Sequence, residues 1–109
     1  MTVSELKSTL GLTEIAMPEP SREVRGAYIG DLLSWVMGKA RADNAWITIM
    51  SNVNVIAVAA LSDVSLVILC EGVCLDGEVK EIALQKGINV LQSQKSSYEL
   101  AKRLASLNI

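Results

Sequence analysis

Two short runs, Ala45-Trp46-Ile47-Thr48-Ile49-Met50 and Ser65-Leu66-Val67-Ile68-Leu69-Cys70, are apolar at nearly every position. A strand with one wet face alternates apolar and polar residues, so runs without alternation fit parallel strands covered by helices on both faces. The first run is dominated by β-formers and follows a polar Arg41-Ala42-Asp43-Asn44 turn, which predicts a central strand ended by Ser51 and Asn52. Between the two runs, Val53 to Leu61 is apolar almost all round. Its alanines and its position between two strands predict a buried helix. A strand, a helix and a strand in that order restrict the chain to an α/β fold with right-handed crossovers.

The same alternation extends in both directions. Val3, Leu6, Leu10 and Leu12 give a short amphipathic helix, with Ser4 as N-cap and Gly11 as the stop. Thr13 to Ala16 reads as a short strand. Met17 to Ser21 is a loop, because Pro18 and Pro20 bias the residues before them away from helix. Glu23 to Ile29 reads as the next strand and Gly30 breaks it. Asp31 is expected to cap a second helix whose buried stripe is Leu32, Leu33, Val36, Met37 and Ala40. Past Glu71-Gly72, the stretch from Asp76 to Lys86 predicts a helix with Val79, Ile82 and Ala83 inward and Gly87 at its end. Ile88 to Leu91 is the last strand. Ser96 or Ser97 then caps a final helix with Leu100, Leu104 and Leu107 inward and Glu99, Lys102 and Arg103 on the wet side.

A chain of 109 residues, half of them apolar, can bury one core without disulfides or metal and is too short for two. Residues 1–109 are therefore expected to form one domain, an α/β three-layer sandwich with a mostly parallel central sheet of about 4–5 strands. Ten basic and twelve acidic residues leave a charge of −2, the wrong sign for a nucleic-acid surface. No apolar run is long enough to span a bilayer, and the first residues lack the pattern of a signal peptide, so a cytoplasmic location is expected. Cys70 and Cys74 are then expected to remain thiols.

Histidine is absent, which removes Ser-His-Asp and Cys-His chemistry and the commonest zinc sites. Gly26 and Gly30 are not followed by the Lys-Ser or Lys-Thr of a phosphate-binding P-loop. The carboxylates Glu71, Asp76 and Glu78 are spread over loops and helix starts with no base and nucleophile pair. A non-enzyme without cofactor or bound metal is expected. Cys70 and Cys74 have two readings: ligands to a soft metal or iron–sulfur cluster shared across a dimer, or a buried strand-end thiol beside an incidental loop thiol.

Open α/β sheets bind ligands outside the carboxyl ends of their strands. Gly30, Asp31 and Ser34, then Ser51, Asn52 and Asn54, then Glu71 and Gly72, and finally Gln92 and Ser93 with Ser96 and Ser97 fall at such ends. They adjoin helix N-termini, whose free N–H groups suit an anion or nucleotide phosphate. The same residues read equally as ordinary helix caps, and the Asp31 carboxylate would repel a phosphate. Trp35 and Met37 fit either the core or an interface, and a homodimer would cover the apolar Val53 to Leu61 helix.

The ordered set Ser21-Arg22-Glu23-Val24-Arg25-Gly26-Ala27-Tyr28-Ile29-Gly30-Asp31-Leu32-Leu33-Ser34, Trp46-Ile47-Thr48-Ile49 and Val90-Leu91 resembles a stand-alone DRTGG domain. Ser21 and Ala27 stand where the signature has an acidic residue and its second glycine. Such domains are similar to the N-terminal domain of HPr kinase/phosphorylase, resemble in fold the N-terminal domains of muramyl ligases, and accompany CBS regulatory domains in some pyrophosphatases. The resemblance implies an HPr kinase N-terminal-domain-like fold and a role in regulation or assembly. The expected function is a non-catalytic regulatory or interaction module, a homodimer associated with a larger metabolic or redox enzyme. The alternative is a sensor of a nucleotide-like small molecule.

Overall fold

The two apolar runs lie side by side. Ala45, Trp46, Ile47 and Thr48 of β3 (Ala45–Thr48) pair in parallel with Leu66, Val67, Ile68 and Leu69 of β4 (Leu66–Leu69), and all eight are buried. In the computed structural model, which describes residues Met1–Ile109, the sheet is completed by β1 (Thr13–Ala16), β2 (Ala27–Ile29) and β5 (Val90–Gln92). The five strands run in the order β1-β5-β4-β3-β2. β2 to β5 are parallel, and only the edge strand β1 is antiparallel.

Side-chain alternation along the strands sends residues to opposite faces. Trp46, Val67, Leu69 and Val90 meet α2 (Leu33–Lys39), α3 (Val53–Ser62) and α4 (Gly77–Lys86) through Val36, Val55, Ile56, Ala59 and Ala83. Ala45, Ile47, Leu66, Ile68 and Leu91 meet α1 (Val3–Leu10) and α5 (Ser97–Ser106) through Val3, Leu6, Leu10, Leu100 and Leu104. The result is the expected three-layer sandwich. Because β2, β3, β4 and β5 are neighbours in chain order, crossovers of one hand place α2, α3 and α4 on the same face. The other face is covered by α1, before the first strand, and by α5, after the last. No helix is long and apolar enough to cross a membrane.

Several boundaries differ from the sequence expectations. Thr2, not Ser4, caps α1: its hydroxyl accepts from Glu5 N at 3.1 Å, and the Glu5 carboxylate accepts from Thr2 N at 3.0 Å. This reciprocal pair satisfies two free amides, and those bonds hold the Glu5 carboxyl below its ordinary pKa. The strand expected from Glu23 is confined to Ala27–Ile29. Gly26 takes a left-handed φ of 73°, and Arg25 N is held by Asp43 O at 2.8 Å, so the chain enters the sheet late.

The expected stripe on α2 is narrower. Val36 is fully buried, whereas Leu32, Trp35 and Met37 are exposed, because this short helix lies at the β2 end of its layer with a neighbour on one side only. In α3, Val55, Ile56, Val58 and Ala59 face inward while Val53 and Leu61 face solvent.

Replacing Ile68 with alanine should lower stability by about 2–5 kcal/mol, through lost burial and the cavity left behind. Leu61→Ala, at a side chain 77% exposed, should stay within about 0.5 kcal/mol. Urea unfolding midpoints of the two variants measure the contrast.

Candidate functional site

Parallel strands end along one edge of a sheet, so the loops after β2, β3, β4 and β5 gather there. Gly30 prolongs the pairing of β2: its amide donates to Ile47 O at 3.2 Å, and its carbonyl accepts from the indole nitrogen of the buried Trp46 at 2.9 Å. Asp31 does not cap α2. The N-cap position is Leu32, which has no side-chain capping bond, and the Asp31 carboxylate accepts instead from Thr48 Oγ1 at 2.7 Å and Ile49 N at 3.0 Å. Asp31 thus straps the end of β3 to the end of β2. Ser34 is exposed on the first turn of α2.

Asn52 caps α3, its side chain accepting from Asn54 N at 2.9 Å. A cavity of about 450 Å³ opens beside this cap, between the starts of α3 and α4, and is lined by Ser51, Asn52, Val53, Asp76, Glu78, Val79 and Ile82. Of the residues expected at a ligand site, Ser51 and Asn52 are brought together here. They meet two carboxylates, Asp76 and Glu78, whose charge suits hydroxyl and amine donors and opposes phosphate.

The loops after β4 and β5 leave the sheet toward opposite faces, the arrangement that opens a crevice in doubly wound sheets. In this chain the crevice is bridged. Glu71 N donates to Lys95 O and Gly72 N to Ser93 O, both at 2.9 Å, while buried Gln92 donates through Nε2 to the carbonyls of Gly72 at 3.2 Å and Val73 at 2.9 Å. Glu71 and Gly72 adopt consecutive left-handed conformations, with φ of 59° and 75°. The left-handed φ at residue 72 calls for glycine, while the nearest obstacle to a Cβ there, Gln94 Oε1 at 2.6 Å, is the end of an exposed, flexible side chain. Ser93 Oγ accepts from Lys95 N, and Ser96 caps α5 in a reciprocal pair with Glu99, followed by Ser97. These serines lead into the layer opposite α3 and α4, away from the cavity.

Cys70 is buried, and its thiol donates to Thr48 O at 3.7 Å. Burial pushes the Cys70 pKa up, and the charges of Glu71 and Asp31 push the same way. It is a strand-end thiol with little thiolate character. Cys74 is exposed, and no group of three or more His, Cys, Asp or Glu side chains is placed to hold a metal ion.

Gln92 falls at a strand end as expected, whereas Thr48 is a residue that the sequence did not signal, since a lone polar residue inside an apolar run reads as part of the strand. Arg22, by contrast, lies at the amino edge. Its guanidinium donates to Asp43 Oδ1 at 3.1 Å and Asp63 Oδ1 at 2.9 Å. Burial opposes its charge, and the bonds to the two carboxylates outweigh that and raise its pKa.

The arrangement is that of a small three-layer α/β fold with a mostly parallel sheet. The profile of the DRTGG domain matches residues 18–107, and the chain belongs to the DRTGG domain family. A solved structure, the CBS and DRTGG domains of the regulatory region of Clostridium perfringens pyrophosphatase complexed with its activator diadenosine tetraphosphate, superposes with a TM-score of 0.74 at 16% identity. The match covers 94% of this chain and 45% of that one, so the chain spans less than half of that regulatory region. At this identity the likeness shows the fold. Among curated proteins, none matches the chain.

Asp31→Ala should cost about 1–3 kcal/mol, the penalty for leaving the Thr48 hydroxyl and Ile49 amide without their acceptor. Hydrogen exchange should quicken at Ile49 and not at the first turn of α2. Iodoacetamide should modify Cys74 in the folded protein and reach Cys70 only after unfolding. Because the Cys70 thiol ionises at higher pH in the fold, its stabilisation is complete below the ordinary value of 9.0 and is lost as pH rises through the higher folded value.

Proposed function

We propose that this protein is a non-catalytic regulatory and interaction module that acts in the cytoplasm as a homodimer, in association with a larger metabolic or redox enzyme. The carrying observation is a division of the surface. The polar groups after β4 and β5 bond to one another, while exposed apolar side chains Ile29, Leu32, Trp35 and Ile49 cluster in sequence around the ends of β2 and β3. Apolar surface of this kind, with Trp35 58% exposed beneath the Lys39 ammonium, favours a protein partner over a small ligand. Membership of the DRTGG family and the regulatory setting of the pyrophosphatase structure support the same reading.

A second reading is a sensor of a nucleotide-like molecule at the carboxyl edge, involving Gly30, Asp31, Ser34, Ser51, Asn52, Asn54, Glu71, Gly72, Ser93, Ser96 and Ser97. It is favoured by the cavity at the start of α3 and by the nucleotide activator of the pyrophosphatase region. Asp76 and Glu78 suit the ribose hydroxyls of such a molecule better than its phosphates.

Thermal unfolding with adenosine mono-, di- and triphosphate and with diadenosine tetraphosphate separates the readings. A ligand at one hundred times its dissociation constant stabilises by about 2.7 kcal/mol, a rise of about ten degrees for a chain of this size. The interaction module should show no rise with any of the four. A rise abolished by Asn52→Ala would establish the sensor in its place.

A further inference from the structure

The segment Arg25-Gly26-Ala27-Tyr28-Ile29-Gly30-Asp31 surrounds the one parallel strand that lies at an open edge of the sheet. The carbonyl of Gly26 accepts from Ala45 N at 3.0 Å and the amide of Gly30 donates to Ile47 O at 3.2 Å, both toward β3. Ladder bonds alternate along a strand, so Tyr28 is the inward-bonding residue between them. The N–H and C=O groups of Ala27 and Ile29 therefore face outward, where no strand pairs with them.

The same segment is chemically symmetric about Tyr28. A second copy laid antiparallel with Tyr28 opposite Tyr28 sets Ala27 against Ile29, Gly26 against Gly30 and Arg25 against Asp31. Each comparison is complementary. Ala27 and Ile29 become exchanging hydrogen-bonded pairs, which is what their outward groups require, and Tyr28 becomes the non-bonded pair on the axis. The glycines put no side chain in the way; Arg25 and Asp31 are exposed, and because Thr48 and Ile49 both bond to Asp31 Oδ1, its Oδ2 is left to meet Arg25 of the other copy, so opposite charges come together twice. Sliding the register by one pair in one direction would need an outward amide on Arg25, and that amide already donates to Asp43 O. Sliding it in the other sets the Asp31 charge against Ala27.

The faces agree as well. Ala27 and Ile29 pair with Ala45 and Ile47, and so lie on the α1 and α5 side of the sheet. Neither belongs to the core that those helices cover: Ala27 is exposed, Ile29 is 47% exposed and Ile49 49%. A two-fold axis through Tyr28 would join the two uncovered strips, and Leu32 and Trp35 at the start of α2 flank the same edge.

We propose that β2 is a self-complementary docking strand through which two copies of this chain join their sheets edge to edge, antiparallel about Tyr28, with Arg25 of each copy paired to Asp31 of the other. The proposal deepens the homodimer reading and supplies its surface. Neither of its measurements involves nucleotide, so it stands or falls separately from the sensor question.

Sedimentation equilibrium of the wild-type chain at micromolar concentration should show a dimer. Arg25→Glu turns two attractions into repulsions and should raise the dissociation constant about tenfold. Register is read separately. In a Cys74→Ser background, an oxidised mixture of Ala27→Cys and Ile29→Cys proteins should form disulfide-linked heterodimers, and neither protein alone should cross-link comparably. Circular dichroism confirms that each variant is folded. A wild-type monomer overturns the proposal. So does a dimer that Arg25→Glu leaves unchanged and whose mixed cysteine variants cross-link no better than either one alone.

Discussion

The pairing of β3 with β4 is the constraint on which the other elements depend. Both strands are buried on both faces, so each face must be covered by helix, and parallel pairing requires that a helix return the chain from the end of one strand to the start of the next. Crossovers of one hand then place α2, α3 and α4 together. The other face is left to α1 and α5, which come from the two ends of the chain. The core they cover draws on β3, β4 and β5 and on no residue of β2. The uncovered Ile29 and Ile49 are thus a consequence of topology rather than an isolated surface irregularity.

The two edges of the sheet are held differently. At the amino edge, Arg22 ties the turns at Asp43 and Asp63, both left-handed, and Asn89 acts as a peptide mimic, exchanging hydrogen bonds with Glu19 and donating to Ser65 O at 2.9 Å. At the carboxyl edge the ties are Asp31 to Thr48 and Gln92 to the Gly72 turn. A buried polar group without a partner costs more than a bonded one gains, so each of these side chains fixes the loop that it meets. The signature residue Arg22 therefore supports the scaffold on the edge opposite the candidate ligand site. Its conformational role needs neither the acidic neighbour replaced by Ser21 nor the glycine replaced by Ala27.

Elements whose evidence is periodic were legible in the sequence. The runs around Ile47 and Val67, the helix from Asp76 and the glycine stops at Gly11 and Gly87 all appear where apolar spacing and capping chemistry put them, and of the two serines that could cap the last helix Ser96 does so. What escaped depends on contacts distant in sequence. Glu23 and Val24 have the composition of a strand, but Glu23 bridges Thr2 and Val24 N donates to Met1 O, so their partner is the chain's start rather than β3. Asp31 has the sequence context of a cap, yet Thr48 and Ile49 offer it two donors at once, and those bonds take the carboxylate away from the helix. Leu32 and Met37 fit a helical stripe, but a helix at the end of its layer has only one neighbour to bury against.

Closure of the β4–β5 crevice and exposure of the β2 edge follow from one chain path. The chain leaves β5 toward the opposite face, which brings Ser93 and Lys95 across the Glu71–Gly72 turn and lets the backbone fill the place where such sheets commonly hold a ligand. The sheet cannot also grow beyond β5, because β1 already pairs there in the antiparallel sense. Among the parallel strands, backbone groups that lack a ladder partner remain only on β2, at the edge opposite β1, beside the exposed Ile29 and Ile49. Natural sheets protect such edges with inward charges, prolines or bulges. This one is bounded by glycines and by charges of opposite sign at its two ends, a pattern that repels no second copy and selects one register for it.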